Sequence, residues 1–298
     1  MLPIVNNTEI KEEVQNYDII TGGSLYTRII SGKKEGKTAI YIHGGGSGGN
    51  HTMLVRPSKW MIEKGLFNKV ILPDRRGEGL SSPLTHKVTI KDHALDMKAL
   101  LDVLDIKEKV TAIGISYGGP IALTLASHDQ RVDEVILMAS SPSLREVKGF
   151  KGYLYKHNLL EPIAKLFYKL NLGKKEIKYS NFEGVYDLES EKELIKLFTD
   201  AIKSTDKKMF ESLILQNAST LDVDNSNIEQ NIELKIPVYQ VIGDKDEIWE
   251  TDLNPYIERF PNIKNVIIPG ANHKASLLRA SEFYEALLRI YKREGFTI

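Results

Sequence analysis

The segment VTAIGISYGGPIALTLA, running from Val110 to Ala126, decides how the rest of the chain is read. Its first six residues, Val110 to Ile115, are a short apolar run of the kind that suits a strand buried on both faces. Pro120 to Ala126 reads as the start of a helix. Between them, Gly114-Ile115-Ser116-Tyr117-Gly118-Gly119 has to make a sharp strand-to-helix turn. The pattern G-x-S-x-G is weak evidence alone; the strand before it and the helix after it make it specific. Side chains two positions either side of Ser116 would collide across the turn, hence the glycines, and the serine itself is held strained. A serine so placed stands above the sheet edge at a helix N-terminus, where developing negative charge is favoured.

Working outward, similar runs recur at Lys37 to Ile42, Lys69 to Leu72, Val132 to Ala139, Pro237 to Ile242 and Asn265 to Ile268. Asn16 to Ser31 reads as two antiparallel strands turning at Gly22-Gly23. Ile90 to Leu104 puts Ala94, Met97, Leu101 and Leu104 at three- and four-residue steps, and Ser276 to Lys292 does the same with Leu277, Phe283, Leu287 and Ile290. Both are helix faces. Strands alternating with helices predict an α/β fold, a mostly parallel sheet with helices on both sides.

The alternation stops between Pro142 and about Asn231, where the pattern is helical. The expected organisation is therefore a core of residues 1–141 and 232–298, with residues 142–231 inserted as a helical cap. Arg145 to Lys178 holds nine Lys and Arg against Glu146, Glu161 and Glu176. A solvated basic face is the plain reading, and a face for lipid or an anionic ligand is the alternative.

Composition narrows the function. The 298 residues carry 40 basic and 40 acidic side chains, 42% hydrophobic residues and no cysteine. That balance excludes disorder as the main state and argues against a nucleic-acid partner. No apolar run approaches the ~18 residues of a membrane span, so no stable membrane insertion is expected. Met1 to Glu13 lack the basic and apolar regions of a signal peptide. Without cysteine there is no disulfide, thiolate metal site or thiol nucleophile. The expectation is a cytoplasmic protein acting on a small-molecule substrate; the pattern leaves its oligomeric state open.

His43-Gly44-Gly45-Gly46-Ser47-Gly48-Gly49 follows the Lys37 to Ile42 run. Backbone this rich in glycine can aim N–H groups at a developing oxyanion. It lacks the Lys-Ser/Thr ending of a phosphate loop. Ser116 needs a base, and the histidines are His43, His51, His86, His93, His128, His157 and His273. His273 stands out, because Pro269-Gly270-Ala271-Asn272-His273 follows the last strand on the same sheet edge as the serine turn. His43 reads as a structural anchor, and no histidine pair has metal spacing. An orienting carboxylate is required too. Asp244 and Asp246, in Gly243-Asp244-Lys245-Asp246-Glu247, are both possible, whereas Ser140-Ser141-Pro142 offers no acid.

Together these motifs resemble the α/β-hydrolase superfamily over nearly the whole chain. Asp74-Arg75-Arg76-Gly77-Glu78-Gly79-Leu80-Ser81 is similar to that family's D-x-R-G-x-G-x-S loop, whose usual role is structural support. The resemblance implies Asp246 as the acid, three residues after Gly243. It implies that the N–H groups of Gly45 and Tyr117 form the oxyanion hole, and that residues 142–231 cap the site. The His43-Gly44-Gly45 start and the Asp74 to Ser81 loop are also similar to those of proline iminopeptidases and their esterase relatives. The iminopeptidase pattern has proline where Gly46 stands, and Gly-Ser-Trp where this chain has Ile115-Ser116-Tyr117. A serine at 116 counts against the branches that use an aspartate nucleophile. The expectation is a serine esterase with Ser116, Asp246 and His273 as its triad, needing no metal or organic cofactor. An aminopeptidase or amidase using the same triad, and a small-ligand receptor or binding module with little turnover, are the rivals.

Overall fold

A computed structural model describes residues 10–33, 35–45, 50–86, 88–142, 232–249, 251–273 and 280–292, with a few isolated positions between. The expected cap, residues 142–231, falls almost entirely outside the described residues, as do 46–49 of the glycine loop and 276–279 of the expected last helix. Eight strands form one sheet: β1 Lys11–Asp18, β2 Ser24–Ser31, β3 Thr38–Ile42, β4 Lys69–Pro73, β5 Val110–Ile115, β6 Val132–Met138, β7 Val238–Gly243 and β8 Ile263–Ile268. Their order is β1-β2-β4-β3-β5-β6-β7-β8. β2 runs antiparallel to both β1 and β4, and every pairing from β4 to β8 is parallel. The fold is therefore α/β with a mostly parallel sheet. The hairpin turns at Gly22 and Gly23, both at positive φ, but β1 begins five residues earlier than the sequence pattern indicates.

Burial explains the composition of each strand. β3 and β5 are buried along their whole length, as their unbroken apolar runs require. Val110 and Ala112 of β5 pack in one cluster with Ala94, Met97, Leu101, Ile121 and Leu125. Ile113 and Ile115 pack in the other with Leu54, Met61, Phe283 and Leu287. The first cluster places α2 (Ile90–Val103) and α3 (Gly118–His128) on one face. The second places α1 (Thr52–Glu63) and α4 (Ala280–Lys292) on the other. The edge strand β1 is exposed and carries Lys11, Glu12 and Glu13, charges that discourage pairing with another chain.

α1 is a helix that the hydrophobic pattern does not announce, because Pro57 sits inside it. Proline there removes one backbone donor, yet Met53, Leu54, Met61 and Ile62 are buried in the core and hold the helix in place. α2 is locally determined. Thr89 Oγ1 accepts from the Asp92 N–H at 3.1 Å, and the Asp92 carboxylate accepts from the Thr89 N–H at 2.7 Å, a reciprocal capping box.

The strand order also selects where a site can form. The chain leaves β3 toward β4 on one side, then crosses back to β5 on the other. The helices that follow β3 and β5, α1 and α3, therefore pack on opposite faces, and the C-terminal strand ends at such a switch point are where α/β sheets place their ligand sites. His43-Gly44-Gly45 and Ser116 occupy the loops after β3 and β5.

His93 of α2 is fully buried, edge-on to the Tyr117 ring with centroids 6.3 Å apart. Burial, and then the charges of Arg75 and Arg76, hold its protonation well below the ordinary histidine range. The unfolded chain still protonates normally, so below that range it takes up a proton that the folded state refuses. Stability from this source is present in full at neutral pH and is lost as pH falls, at about 1 kcal/mol per pH unit. The His93→Leu variant should therefore show a shallower loss of unfolding free energy between pH 7 and 5 than the parent chain. Parallel denaturation curves in the two proteins would contradict this account.

Candidate active site

The turn after β5 forces Ser116 into a positive φ of 50°, a conformation that non-glycine residues rarely hold. Glycine is obligatory on either side. A Cβ on Gly114 would overlap the Gly118 carbonyl, and one on Gly118 would overlap the carbonyls of Ile42 and His43. The Ser116 carbonyl accepts from the Gly119 N–H at 3.0 Å and from Ser140 Oγ at 2.6 Å. Gln240 Nε2 in turn donates to the Ser140 carbonyl at 2.8 Å. Ser140 stands at the end of β6, where the sequence offers no acid; its part in bracing the elbow is not visible in any sequence motif.

Ser116 Oγ lies 3.1 Å from His273 Nε2, across a sequence separation of 157 residues. His273 Nδ1 lies 3.0 Å from Asp246 Oδ2. The other oxygen, Asp246 Oδ1, accepts from the Ile248 and Trp249 N–H groups at 2.8 and 2.9 Å. A carboxylate only accepts in this setting, so Nδ1 carries the ring proton and Nε2 presents its lone pair to the serine. The Asp246 side chain is fully buried, whereas that of His273 is partly exposed.

Asp244 and Glu247 do different work. Asp244 Oδ1 accepts from the Gly270 N–H at 2.7 Å, and the Lys245 N–H donates to the Ala271 carbonyl at 3.0 Å. Glu247 Oε2 accepts from the His273 backbone N–H at 3.0 Å. These contacts clamp the loop after β8 onto the loop after β7 and set where the imidazole starts. Sequence reasoning missed Glu247, because its contact depends on which two loops become neighbours.

The loop after β3 rests on residues 74–81. Asp74 Oδ1 accepts from the N–H and Nδ1 of His51 at 2.6 and 2.8 Å, and Oδ2 accepts from the Leu80 N–H at 2.9 Å. Arg76 Nε reaches Asp96 of α2 at 2.6 Å, and Thr21 Oγ1 donates to the same carboxylate at 2.5 Å. Burial pushes the Asp96 carboxyl upward, against those two hydrogen bonds. His43 is fully buried, and chiefly for that reason its pKa is lowered to about 3. It is neutral at physiological pH. A Cβ on Gly45 would come within 3.2 Å of Tyr117 Cβ, so the glycine loop and the serine turn touch. Among the described residues, no group of three or more His, Asp or Glu side chains is arranged to hold a metal ion.

Comparison with known proteins gives three kinds of match. A protein of Mycoplasma pneumoniae provisionally named a proline iminopeptidase is 39% identical over 114 residues, 37% of this chain and 34% of that relative. The chain thus matches about a third of that curated relative's length. The solved esterase of Thermogutta terrifontis, bound to malate, superposes with a TM-score of 0.70 at 18% identity, covering 94% of this chain and 98% of that one. An epoxide hydrolase solved without ligand gives 0.72 at 18% identity, covering 95% and 99%. At such identities the likeness speaks for the fold alone. The family model described as alpha/beta hydrolase fold matches residues 39–280, from the start of β3 to the start of α4, and this chain belongs to that family.

Proposed function

We propose that the chain is a serine hydrolase that cleaves carboxylic esters of small to medium acyl groups. The observation that carries this reading is the unbroken hydrogen-bonded path from Ser116 Oγ through His273 to Asp246 Oδ2, at 3.1 and 3.0 Å. His273 Nε2 takes the hydroxyl proton as Oγ attacks the acyl carbonyl. Asp246 holds the ring in the tautomer that permits this and stabilises the imidazolium that forms. The N–H groups of Gly45 and Tyr117 receive the oxyanion. The imidazolium returns its proton to the departing alcohol, leaving an acyl-serine. Water, deprotonated by the same Nε2, attacks that acyl group, and the serine leaves with the proton from His273. All the groups needed come from the chain's own residues, with residues 142–231 proposed as the cap that selects the acyl group.

A second reading is supported by the iminopeptidase name of the curated relative. An aminopeptidase has to hold a substrate ammonium, and burying that charge without an acidic partner costs several kcal/mol. Glu183, Asp187, Glu189, Glu191 and Glu193 form the densest group of acids in the cap sequence. Acyl anilides with and without a free α-amino group, sharing one leaving group, separate the readings. We expect the free amine to leave kcat/KM unchanged or lower it. A rise of more than about tenfold, roughly 1.4 kcal/mol of specific recognition, would favour the aminopeptidase.

A further inference from the structure

The Gly44 carbonyl accepts two buried hydrogen bonds, from Arg75 Nη2 at 2.8 Å and from His43 Nδ1 at 2.9 Å. The His43 tautomer follows from its other nitrogen. The Arg75 backbone N–H donates to Nε2 at 3.1 Å, so Nε2 is unprotonated and the proton on Nδ1 faces Gly44. Glu78 Oε2 anchors the arrangement, 2.5 Å from Arg75 Nη2 and 3.2 Å from His43 Nδ1. Arg75, Glu78 and His43 side chains are all essentially inaccessible to solvent.

The Gly44 carbonyl and the Gly45 N–H are opposite edges of one planar peptide unit, and the described residues contain no cis peptide bond. Fixing the carbonyl on Arg75 and His43 therefore fixes the Gly45 N–H in the opposite direction. Donors on the carbonyl also polarise the amide, so its N–H donates more strongly. The same guanidinium lies 4.7 Å from the centroid of the Tyr117 ring, within cation–π range. One cation thus bears on both backbone segments that supply the oxyanion donors.

We propose that Arg75 is a positioning residue for the oxyanion hole, aligning the N–H groups of Gly45 and Tyr117 without touching a reacting atom. The inference rests on the serine-hydrolase reading above. A need for stability alone is a poor reason for the arginine, because a buried ion pair can often be replaced by apolar residues without loss. Lysine in its place keeps the charge but lacks the planar guanidinium, whose Nη2 reaches both Gly44 and Glu78 while its central carbon lies over the Tyr117 ring.

The test compares Arg75→Lys and the charge-neutral double variant Arg75→Met/Glu78→Gln with the parent chain and Ser116→Ala. Reactive sites are first counted by titration with a fluorescent alkyl phosphonate. Then kcat and KM per site are measured on an acyl ester, together with the inhibition constant of an alkyl boronic acid, which forms a tetrahedral serine adduct. Loss of an oxyanion donor outright costs on the order of 10² to 10³ in kcat; misaligning the donors should cost about 10- to 100-fold. We expect that loss per titrated site, with KM changed less than about threefold and boronate binding weakened in proportion to kcat/KM. If Arg75 merely braces the fold, the number of sites falls while per-site kcat and boronate affinity hold within about twofold, which overturns the proposal. Two variants that yield no titratable sites even after expression in the cold would make Arg75 a folding residue and overturn it equally. Phosphonate labelling that persists in Ser116→Ala would instead sink the serine-hydrolase reading, whatever the Arg75 variants do.

Discussion

Ser116→Ala should abolish covalent labelling by a serine-directed phosphonate and lower turnover by about 10⁴- to 10⁶-fold. The expected loss is large because in the proposed mechanism Ser116, His273 and Asp246 act as one unit, so removing one member removes the benefit of the others. Alanine keeps the strained positive φ at residue 116, and the bonds that brace the elbow use the Ser116 carbonyl, not its hydroxyl. The variant should therefore fold, with a melting temperature close to the parent's. Intact-mass spectrometry after phosphonate treatment gives the decisive reading: an adduct on the alanine variant would mean that the nucleophile is another residue.

Asp246→Asn should cost about 10⁴-fold in kcat, the scale seen when a triad aspartate becomes an amide. Asp246 Oδ1 already accepts from the Ile248 and Trp249 N–H groups. An asparagine would keep its oxygen there and turn its NH₂ toward His273. Nδ1 would then have to accept, the ring proton would move to Nε2, and Nε2 could no longer take the serine proton. Asp244→Asn is the control. Its oxygen can still accept from the Gly270 N–H, so activity should stay within about tenfold of the parent. Equal losses in the two variants, or the reverse order, would remove Asp246 from its proposed role. Because the base has to be neutral, kcat/KM of the parent should also fall on acidification through one ionisation.

Much of the architecture was legible in the sequence because its causes are local. Runs such as Val110 to Ile115 suit strands buried on both faces, and G-x-S-x-G between such a strand and a helix demands glycine where Gly114 meets Gly118. The alternation of these runs with helix-period stretches determined an α/β fold with a mostly parallel sheet. It also marked the strand ends at which chemistry could be built. What tertiary structure alone decided is which of those ends face one another, and which atoms meet there. Helix α1 is hidden by Pro57 and is held by core contacts that no local pattern encodes. The difference between Asp244 and Asp246 is two residues in sequence, yet one carboxylate lies on His273 Nδ1 and the other on the Gly270 N–H. Glu247 on the His273 backbone, Ser140 under the elbow and Arg75 on the Gly44 carbonyl belong to the same class. Each joins segments 24 to 31 residues apart, distances over which side-chain periodicity carries no information. Only the order of strands in the sheet brings those segments together.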